Sequence, residues 1–191
     1  MMLHTLIIPI ILFFSFDASQ YKKYAQIVKF DSHFSKYSKR YFGPGFDWHY
    51  FKAQAIAESR LDANAKSKVG ALGIMQIMPK TFDEIKKQHP DIAGSRIHPK
   101  WNIAAGIRYN RQIWKKWSPK RTIKDKINFM FASYNTGRGN IIKAQKIAIK
   151  QGLDPDQWKS IEKTLAKVTG KHSRETLYYV VKINHIKEVL K

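Results

Sequence analysis

One short stretch of this sequence lacks the helical spacing of apolar residues that the chain shows on both sides of it, and this contrast limits what the chain can fold into. Residues 64–78 (NAKSKVGALGIMQIM) contain Gly70 and Gly73 and are predicted to form a loop or a small hairpin. The rest of the chain beyond residue 20 places apolar residues at helical spacing between Gly and Pro breaks. The sequence therefore predicts a mainly α fold with one very small hairpin or loop insert.

The predicted helices follow one another through short connections. The first stops at the Gly-Pro-Gly sequence of residues 43–45, Asp47 can cap the second, and Pro79 suits the first turn of the third. The sequence shows no internal repeat and no linker, so residues 21–191 are expected to form one domain. The helices are predicted at 21–41, 48–59, 80–88, 102–117, 125–135, 141–151 and 173–190.

Residues 1–20 are predicted to lie outside this domain. Residues 6–14 (LIIPIILFF) form an apolar run that would span only about 14 Å as a helix, against about 30 Å of bilayer hydrocarbon. This length is typical of a signal peptide, although no Lys or Arg precedes the run and no Ala-x-Ala site follows it. We expect export to the periplasm or cell envelope, with a membrane anchor through residues 3–16 as the alternative.

The charge of the chain points to polyanionic partners without choosing among them. Thirty-five Lys and Arg residues outnumber 14 Asp and Glu, which gives a net charge of +21. Such a charge attracts nucleic acid, anionic lipid or acidic wall polymers, and it also favours solubility. The chain has no Cys, which excludes a disulfide scaffold and a thiol nucleophile. No phosphate-binding, dinucleotide-binding, zinc-protease or serine-hydrolase motif occurs, so we expect no cofactor and no metal.

Glu58 is the candidate catalytic residue. It lies seven positions after Phe51 and three after Ala55, on the apolar face of its helix, where a carboxylate is rare. Burial there would raise the pKa of Glu58 from about 4.3 to about 6–7, as a general acid near neutral pH requires. The helical pattern by itself leaves open that Glu58 points to water or pairs with Arg60.

Four segments, in order along the chain, resemble the signature of the lysozyme-like lytic transglycosylases. They are residues 55–79 (AIAESRLDANAKSKVGALGIMQIMP), 102–109 (NIAAGIRY), 133–139 (SYNTGRG) and 175–180 (ETLYYV). Within that family, residues 152–158 (GLDPDQW) are similar to part of the catalytic module of the membrane-bound type F enzymes. The resemblance implies a lysozyme-like single domain over residues 21–191.

The resemblance also implies a reaction on the glycan strands of peptidoglycan. Glu58 would be the single general acid and base: it protonates the oxygen that links N-acetylmuramic acid to N-acetylglucosamine, then takes the C6 hydroxyl proton and leaves a 1,6-anhydromuramyl end. A lysozyme-type hydrolase of the same bond and a non-catalytic basic module that binds cell wall or nucleic acid remain as alternatives. The nearest candidates in sequence for a second carboxylate are Asp62, Asp83 and Glu84, and Asp62 is expected to make a cap or loop hydrogen bond instead.

Seven further positions match substrate-binding positions of the family. Ser67 would form a hydrogen bond near the acid, Tyr134 would orient Glu58 through its hydroxyl, and Tyr179 would close the groove from the last helix. A turn or core role remains the alternative for these side chains and for the methionines. The implied substrate-binding residues are Ser67, Met75, Gln76, Met78, Tyr134, Asn135 and Tyr179.

The chain departs from the family pattern at three positions. Thr136 and Arg138 alter the loop after Tyr134, and Asn110 replaces an apolar helix residue. Basic residues flank the motifs, so acidic wall polymers or an anionic membrane surface are candidate partners beside peptidoglycan. We do not expect nucleic acid to be the partner. The flanking basic residues are Lys66, Lys68, Lys80 and Arg138.

Overall fold

A computed structural model of the chain describes residues 19–191, which are mostly helical. Two isolated antiparallel bridges, Lys66 to Leu72 and Leu72 to Ile77, are the only β-structure in that part of the chain. The predicted mainly α fold with one small insert is therefore confirmed. The helices are α1 (Ser19–Ala25), α2 (Asp31–Phe42), α3 (His49–Ser59), α4 (Pro79–Gln88), α5 (Pro99–Lys115), α6 (Ile123–Thr136), α7 (Arg138–Lys150), α8 (Trp158–Thr164), α9 (Ala166–Thr169), a 3-10 turn (Gly170–His172) and α10 (Ser173–Val189).

The first predicted helix, at 21–41, is in fact two helices. The backbone N–H groups of Ile27 and Asp31 bond to carbonyl groups three residues earlier, which closes a turn between α1 and α2. Asp31 begins α2, and its carboxylate accepts from Nζ of Lys52 on α3 at 2.8 and 3.0 Å. Since the Lys52 side chain is buried, this ion pair fixes where α2 starts against α3.

Four helices supply most of the core around which the insert is placed. Helix α10 packs against α3 and α6, while α5 packs against α2, α4 and α6. Their apolar faces converge on side chains with no solvent exposure, as the helical spacing of the sequence requires. These residues are Phe51 on α3, Ile103 and Ile107 on α5, Phe129 and Phe131 on α6, and Ile183 on α10.

Helix α1 joins the amino-terminal end of the described chain to α10. The ring of Tyr21 meets that of His185 edge-on, with 6.3 Å between centroids. Helix α1 begins at Ser19, two residues before the predicted start of the domain at residue 21. The apolar run at 6–14 and the rest of residues 1–18 lie outside the described residues. Across residues 19–191, no helix has the length and apolar character needed to cross a membrane.

Replacing Gly106 with alanine is expected to destabilise the fold. A Cβ at this position of α5 would lie 2.8 Å from Cβ and Cγ of Met75, which is fully buried in the insert. Overpacking of this kind costs about 1–3 kcal/mol of unfolding free energy, which urea denaturation measures. Gly139→Ala is the control, because an added Cβ there meets nothing within 4 Å. Equal stabilities for wild type and Gly106→Ala would contradict the close packing of Gly106 against Met75.

Candidate active site

Glu58 lies at the end of α3, where the chain turns sharply into the insert. The helix ends at Ser59, and Arg60 and Leu61 both adopt left-handed backbone conformations, with φ of 57° and 63°. Two consecutive non-glycine residues in this region cost energy, which the surrounding packing must offset. Leu61 is buried and anchors the turn. The turn at Arg60 and Leu61 thus ends α3 directly after the turn that carries Glu58.

The side chain of Asn102, on α5, makes hydrogen bonds to the backbone of the insert. Its Oδ1 accepts from the backbone N–H of Met75 at 2.7 Å, and its Nδ2 donates to the carbonyl oxygens of Leu72 at 2.9 Å and Arg96 at 2.7 Å. Gly73 is required at this contact, because it has φ of 74° and a Cβ there would lie 2.5 Å from Nδ2 of Asn102. One buried amide therefore fixes the backbone of the insert.

Two hydroxyl groups bind the insert to the helices beside Glu58. Oγ of Ser59 donates to the carbonyl oxygen of Ile74 at 2.9 Å, and Oη of Tyr134 donates to that of Met75 at 2.7 Å. These bonds connect the insert to α3 and α6. The insert is thus tied to the end of α3 that carries Glu58 and to α6.

A cavity of about 260 Å³ opens at Glu58. Helices α3, α6 and α10 supply its walls, so it lies where three packed helices converge. Both signs of charge are present in the lining, together with polar groups that can orient a ligand. The lining residues are Ala57, Glu58, Asn135, Glu175, Tyr178, Tyr179 and Lys182.

The environment of Glu58 sets its protonation near neutral pH. The pKa of Glu58 is raised to about 7, chiefly by burial and to a smaller extent by the negative charge of Glu175. The hydrogen bond that Oη of Tyr179 donates to Oε1 of Glu58 lowers this pKa, as does the positive charge of Lys182. Because burial outweighs the other effects, the carboxyl group can both give and take a proton near pH 7.

The two phenols near Glu58 have different hydrogen-bond partners. Burial, together with the charge of Glu58, raises the pKa of Tyr134 and of Tyr179 well above the usual value, so both remain neutral donors. A phenol has one hydrogen to donate, and that of Tyr134 goes to the carbonyl oxygen of Met75. The expectation that Tyr134 orients Glu58 through its hydroxyl is therefore corrected: the hydroxyl that donates to Glu58 belongs to Tyr179.

The remaining candidate residues lie in the insert, outside the cavity lining. Oγ of Ser67 accepts from the backbone N–H of Ala71 at 2.9 Å, which closes a turn. Nε2 of Gln76 donates to two carbonyl oxygens of the insert, at 2.9 and 3.1 Å. Met75 has no exposed surface, so its side chain is core, whereas Met78 is 40% exposed. Of the seven positions assigned to substrate binding, the cavity brings together Asn135 and Tyr179 with the acid.

Sequence reasoning did not single out Glu175 and Lys182 as charged neighbours of Glu58. They occupy positions four before and three after Tyr179, which places all three on one face of α10. Nζ of Lys182 donates to the carbonyl oxygen of Ala57 at 3.3 Å, and burial lowers the pKa of Lys182. The helical spacing around Tyr179 was the signal from which both neighbours could have been found.

A wider groove, of about 1050 Å³, lies between α6, α8 and α10. Its lining mixes apolar Ile123 and Val181 with charged Lys159 and Glu162, but it does not include Glu58. We therefore place the chemistry in the smaller cavity, which holds the group able to transfer a proton. Within residues 19–191 no group of three or more His, Asp or Glu side chains is arranged to bind a metal ion.

Comparison with known proteins gives a consistent family assignment. The family model described as "Transglycosylase SLT domain" matches residues 33–156. Membrane-bound lytic murein transglycosylase F of Pseudomonas fluorescens is 29% identical over 146 residues, which cover 76% of this chain and 28% of the relative. The enzyme of the same name from Desulfosudis oleivorans is 30% identical over 156 residues, covering 79% and 32%. The chain thus spans about a third or less of the length of these relatives.

Solved structures share the fold. The 70 kDa soluble lytic transglycosylase of Escherichia coli superposes with a TM-score of 0.63 at 25% identity, covering 85% of this chain and 24% of that one. A lytic transglycosylase of Pseudomonas aeruginosa superposes with a TM-score of 0.66 at 21% identity, over the same shares of the two chains. The predicted lysozyme-like arrangement of the helices is confirmed by these neighbours.

Glu58→Gln is expected to stabilise the fold at alkaline pH. The pKa of Glu58 is about 7 in the folded chain against 4.5 ordinarily, so unfolding releases a proton between these values and wild-type stability falls as pH rises. The advantage of the variant in unfolding free energy should grow by roughly 2 kcal/mol from pH 5 to pH 8. Urea denaturation at both pH values measures it, with Glu84→Gln as an exposed control. An advantage independent of pH would contradict the burial of Glu58.

Proposed function

Because the chain belongs to the transglycosylase SLT domain family, we propose that it is a lytic transglycosylase that cleaves the glycan strands of peptidoglycan. One observation carries the proposal: the carboxyl group of Glu58 has a pKa of about 7 and receives a hydrogen bond from Tyr179 inside a cavity. A group of this kind changes its protonation state during a reaction at neutral pH, whereas an ordinary surface glutamate is already ionised.

The proposed reaction uses Glu58 twice. Protonated Glu58 gives its proton to the glycosidic oxygen, the bond from this oxygen to C1 of N-acetylmuramic acid breaks, and positive charge develops at C1. The ionised carboxylate then takes the proton of the C6 hydroxyl while that oxygen bonds to C1. The products are a free hydroxyl on N-acetylglucosamine and a 1,6-anhydromuramyl end. Glu58 is protonated again, and no water is consumed.

The neighbours of Glu58 act on its charged form. Once the proton has left, the carboxylate is stabilised by the hydroxyl of Tyr179 and by the positive charge of Lys182. These interactions strengthen as the glycosidic bond breaks, so they favour the transition state over the bound substrate. The carboxylate is also the base of the second step, and the same two groups hold it in place for that role.

A lysozyme-type hydrolase of the same bond is the second candidate, and Glu175 is the observation that favours it. Hydrolytic glycosidases ordinarily pair an acid with a second carboxylate across the cleaved bond. Glu175 lines the cavity with Glu58 and is exposed at its mouth. It could therefore activate a water molecule in place of the sugar hydroxyl. The non-catalytic basic module has no comparable support, since a mere binding surface does not require a carboxyl group that titrates near pH 7.

The proposed site of action is the cell envelope. The relatives' names describe membrane-bound murein enzymes. We propose that residues 1–20 direct export to the periplasm or envelope, with residues 3–16 as an alternative anchor. The net charge of +21 supports attraction to acidic wall polymers or an anionic membrane surface beside the glycan. Such attraction weakens at high salt.

Glu58→Gln is expected to abolish the release of anhydromuropeptides from isolated peptidoglycan. The amide has nearly the same shape but gives no proton to the glycosidic oxygen, so the loss should be at least about 1000-fold. Mass spectrometry identifies the products, because an anhydro end is lighter than a hydrolysed end by one water. Glu84→Gln should retain wild-type activity. Substantial cleavage by the Glu58 variant would remove this residue from the role of acid.

Glu175→Gln separates the two candidate reactions. A transglycosylase needs no second carboxylate, so this variant should retain activity within about tenfold and still form anhydro ends. The same product analysis measures both quantities. Loss of activity as deep as that of Glu58→Gln, or hydrolysed ends in the wild-type digest, would favour the hydrolase.

A further inference from the structure

A chain of buried hydrogen bonds runs from α5 to the carboxyl group of Glu58. Nδ2 of Asn110 donates to Oε1 of Gln54 at 2.7 Å, and Nε2 of Gln54 donates to Oη of Tyr179 at 3.1 Å. Oη of Tyr179 then donates to Oε1 of Glu58. Asn110 and Gln54 have no exposed surface, so water does not compete for these bonds.

The backbone sets the direction of this chain. Nδ2 of Asn110 also donates to the carbonyl oxygen of Gly106 at 3.1 Å, and a carbonyl oxygen can only accept. The amide of Asn110 is thereby oriented with its nitrogen toward Gln54, so the amide oxygen of Gln54 accepts this hydrogen bond. Gln54 then presents its nitrogen to Tyr179. Because Tyr179 accepts this bond, its single hydrogen goes to Glu58.

The side chain of Asn110 lowers the free energy of unfolding, and packing alone does not explain why a polar residue stands there. Its Oδ1 is buried without a hydrogen-bond partner among the described residues. A buried carbonyl group left unpaired is unfavourable, and an apolar side chain at this position of α5 would avoid the penalty. The sequence also departs here from the apolar residue that the family pattern has. A buried polar residue that lowers stability is typical of a functional role.

We propose that Asn110 and Gln54 are positioning residues that hold Tyr179 as a donor to Oε1 of Glu58 and so leave Oε2 to carry the proton used in catalysis. If these hydrogen bonds ran in the opposite direction, Oη of Tyr179 would donate to Gln54 and accept from protonated Glu58. The acid would then direct its proton into the protein rather than toward the sugar. The inference rests on the proposed function for its catalytic consequence, but the hydrogen-bond geometry stands without it.

Several other groups act on Glu58, and the test must separate them from this chain. Glu175, Tyr179 and Lys182 face it from α10, and Tyr134 faces it from α6. Arg60 acts on Lys182. Asn110 is uncharged, so replacing it with another uncharged residue adds no charge to this set. A changed titration of Glu58 would then report the hydrogen-bond chain.

Asn110→Leu is the test, because leucine is similar in size and removes both the donor and the unpaired oxygen. Gln54 loses the bond that orients its amide, so Tyr179 donates to Glu58 in only part of the molecules. Since that bond favours the carboxylate, the pKa of Glu58 should rise above its wild-type value. The kcat for glycan cleavage should fall about 3- to 10-fold with little change in KM. Carbon-13 NMR of labelled glutamate follows the titration, with the Glu58 signal identified by its absence in Glu58→Gln.

Asn128→Leu is the matched control. Asn128 is also buried on a helix, but its Oδ1 accepts a hydrogen bond from Nδ2 of Asn184, which takes no part in the hydrogen bonds that lead to Glu58. Its replacement should leave the titration of Glu58 unchanged. Gln54→Met removes the side chain that links Asn110 to Tyr179. It should shift the titration of Glu58 in the same direction as Asn110→Leu. If Asn110→Leu does not fold, the Gln54→Met titration is the deciding measurement.

Two failures are distinguishable. A wild-type enzyme that releases no glycan fragments would refute the proposed function while leaving the NMR titration readable. A Glu58 titration that is the same in wild type, Asn110→Leu and Gln54→Met would overturn the positioning role, even in an active enzyme. An altered unfolding temperature with an unchanged titration would likewise assign Asn110 to packing alone and overturn the inference.

Discussion

The partial desolvation of one carboxyl group, that of Glu58, is the constraint on which the site depends. Burial disfavours its charged form, while Tyr179 and Lys182 favour it, and the balance leaves the pKa at about 7. Burial without these partners would hold the group protonated and useless as a base. The partners without burial would hold it ionised and useless as an acid. Because α3 and α10 supply these groups, the relative position of the two helices sets the chemistry.

Hydrogen bonds from three helices fix the position of the insert, although it is a loop. The backbone is left-handed at Leu61, just before the insert, and at Gln76 within it, and this conformation is unfavourable for side chains of this size. The amide of Asn102 and the hydroxyls of Ser59 and Tyr134 offset this by satisfying buried backbone groups of the segment. The insert therefore depends on three helices at once and cannot shift without breaking bonds to all of them.

The sequence allowed prediction of what depends on local pattern. The helices α3 to α7 and α10, and the exceptional place of Glu58 on an apolar face, follow from period and from Gly and Pro breaks. Helix α8 was missed because seven residues are too few to display a period. That Tyr179 rather than Tyr134 donates to Glu58 could not be predicted from sequence, for another reason. Both phenols approach the acid, and which of them donates to it depends on distances between helices that spacing along the chain does not contain.

Asn110 shows how a local conflict can be informative. From sequence it was only a departure from an apolar position, and in the structure its oxygen is still unpaired. Its nitrogen, however, is the first donor in a series of hydrogen bonds that reaches Glu58 through two intervening side chains, Gln54 and Tyr179. A sequence selected for stability alone would replace it with leucine. Since only the nitrogen of the Asn110 amide is hydrogen-bonded, its bond to Gln54 indicates the role of the residue. Through Gln54 and Tyr179, it sets which oxygen of Glu58 carries the proton.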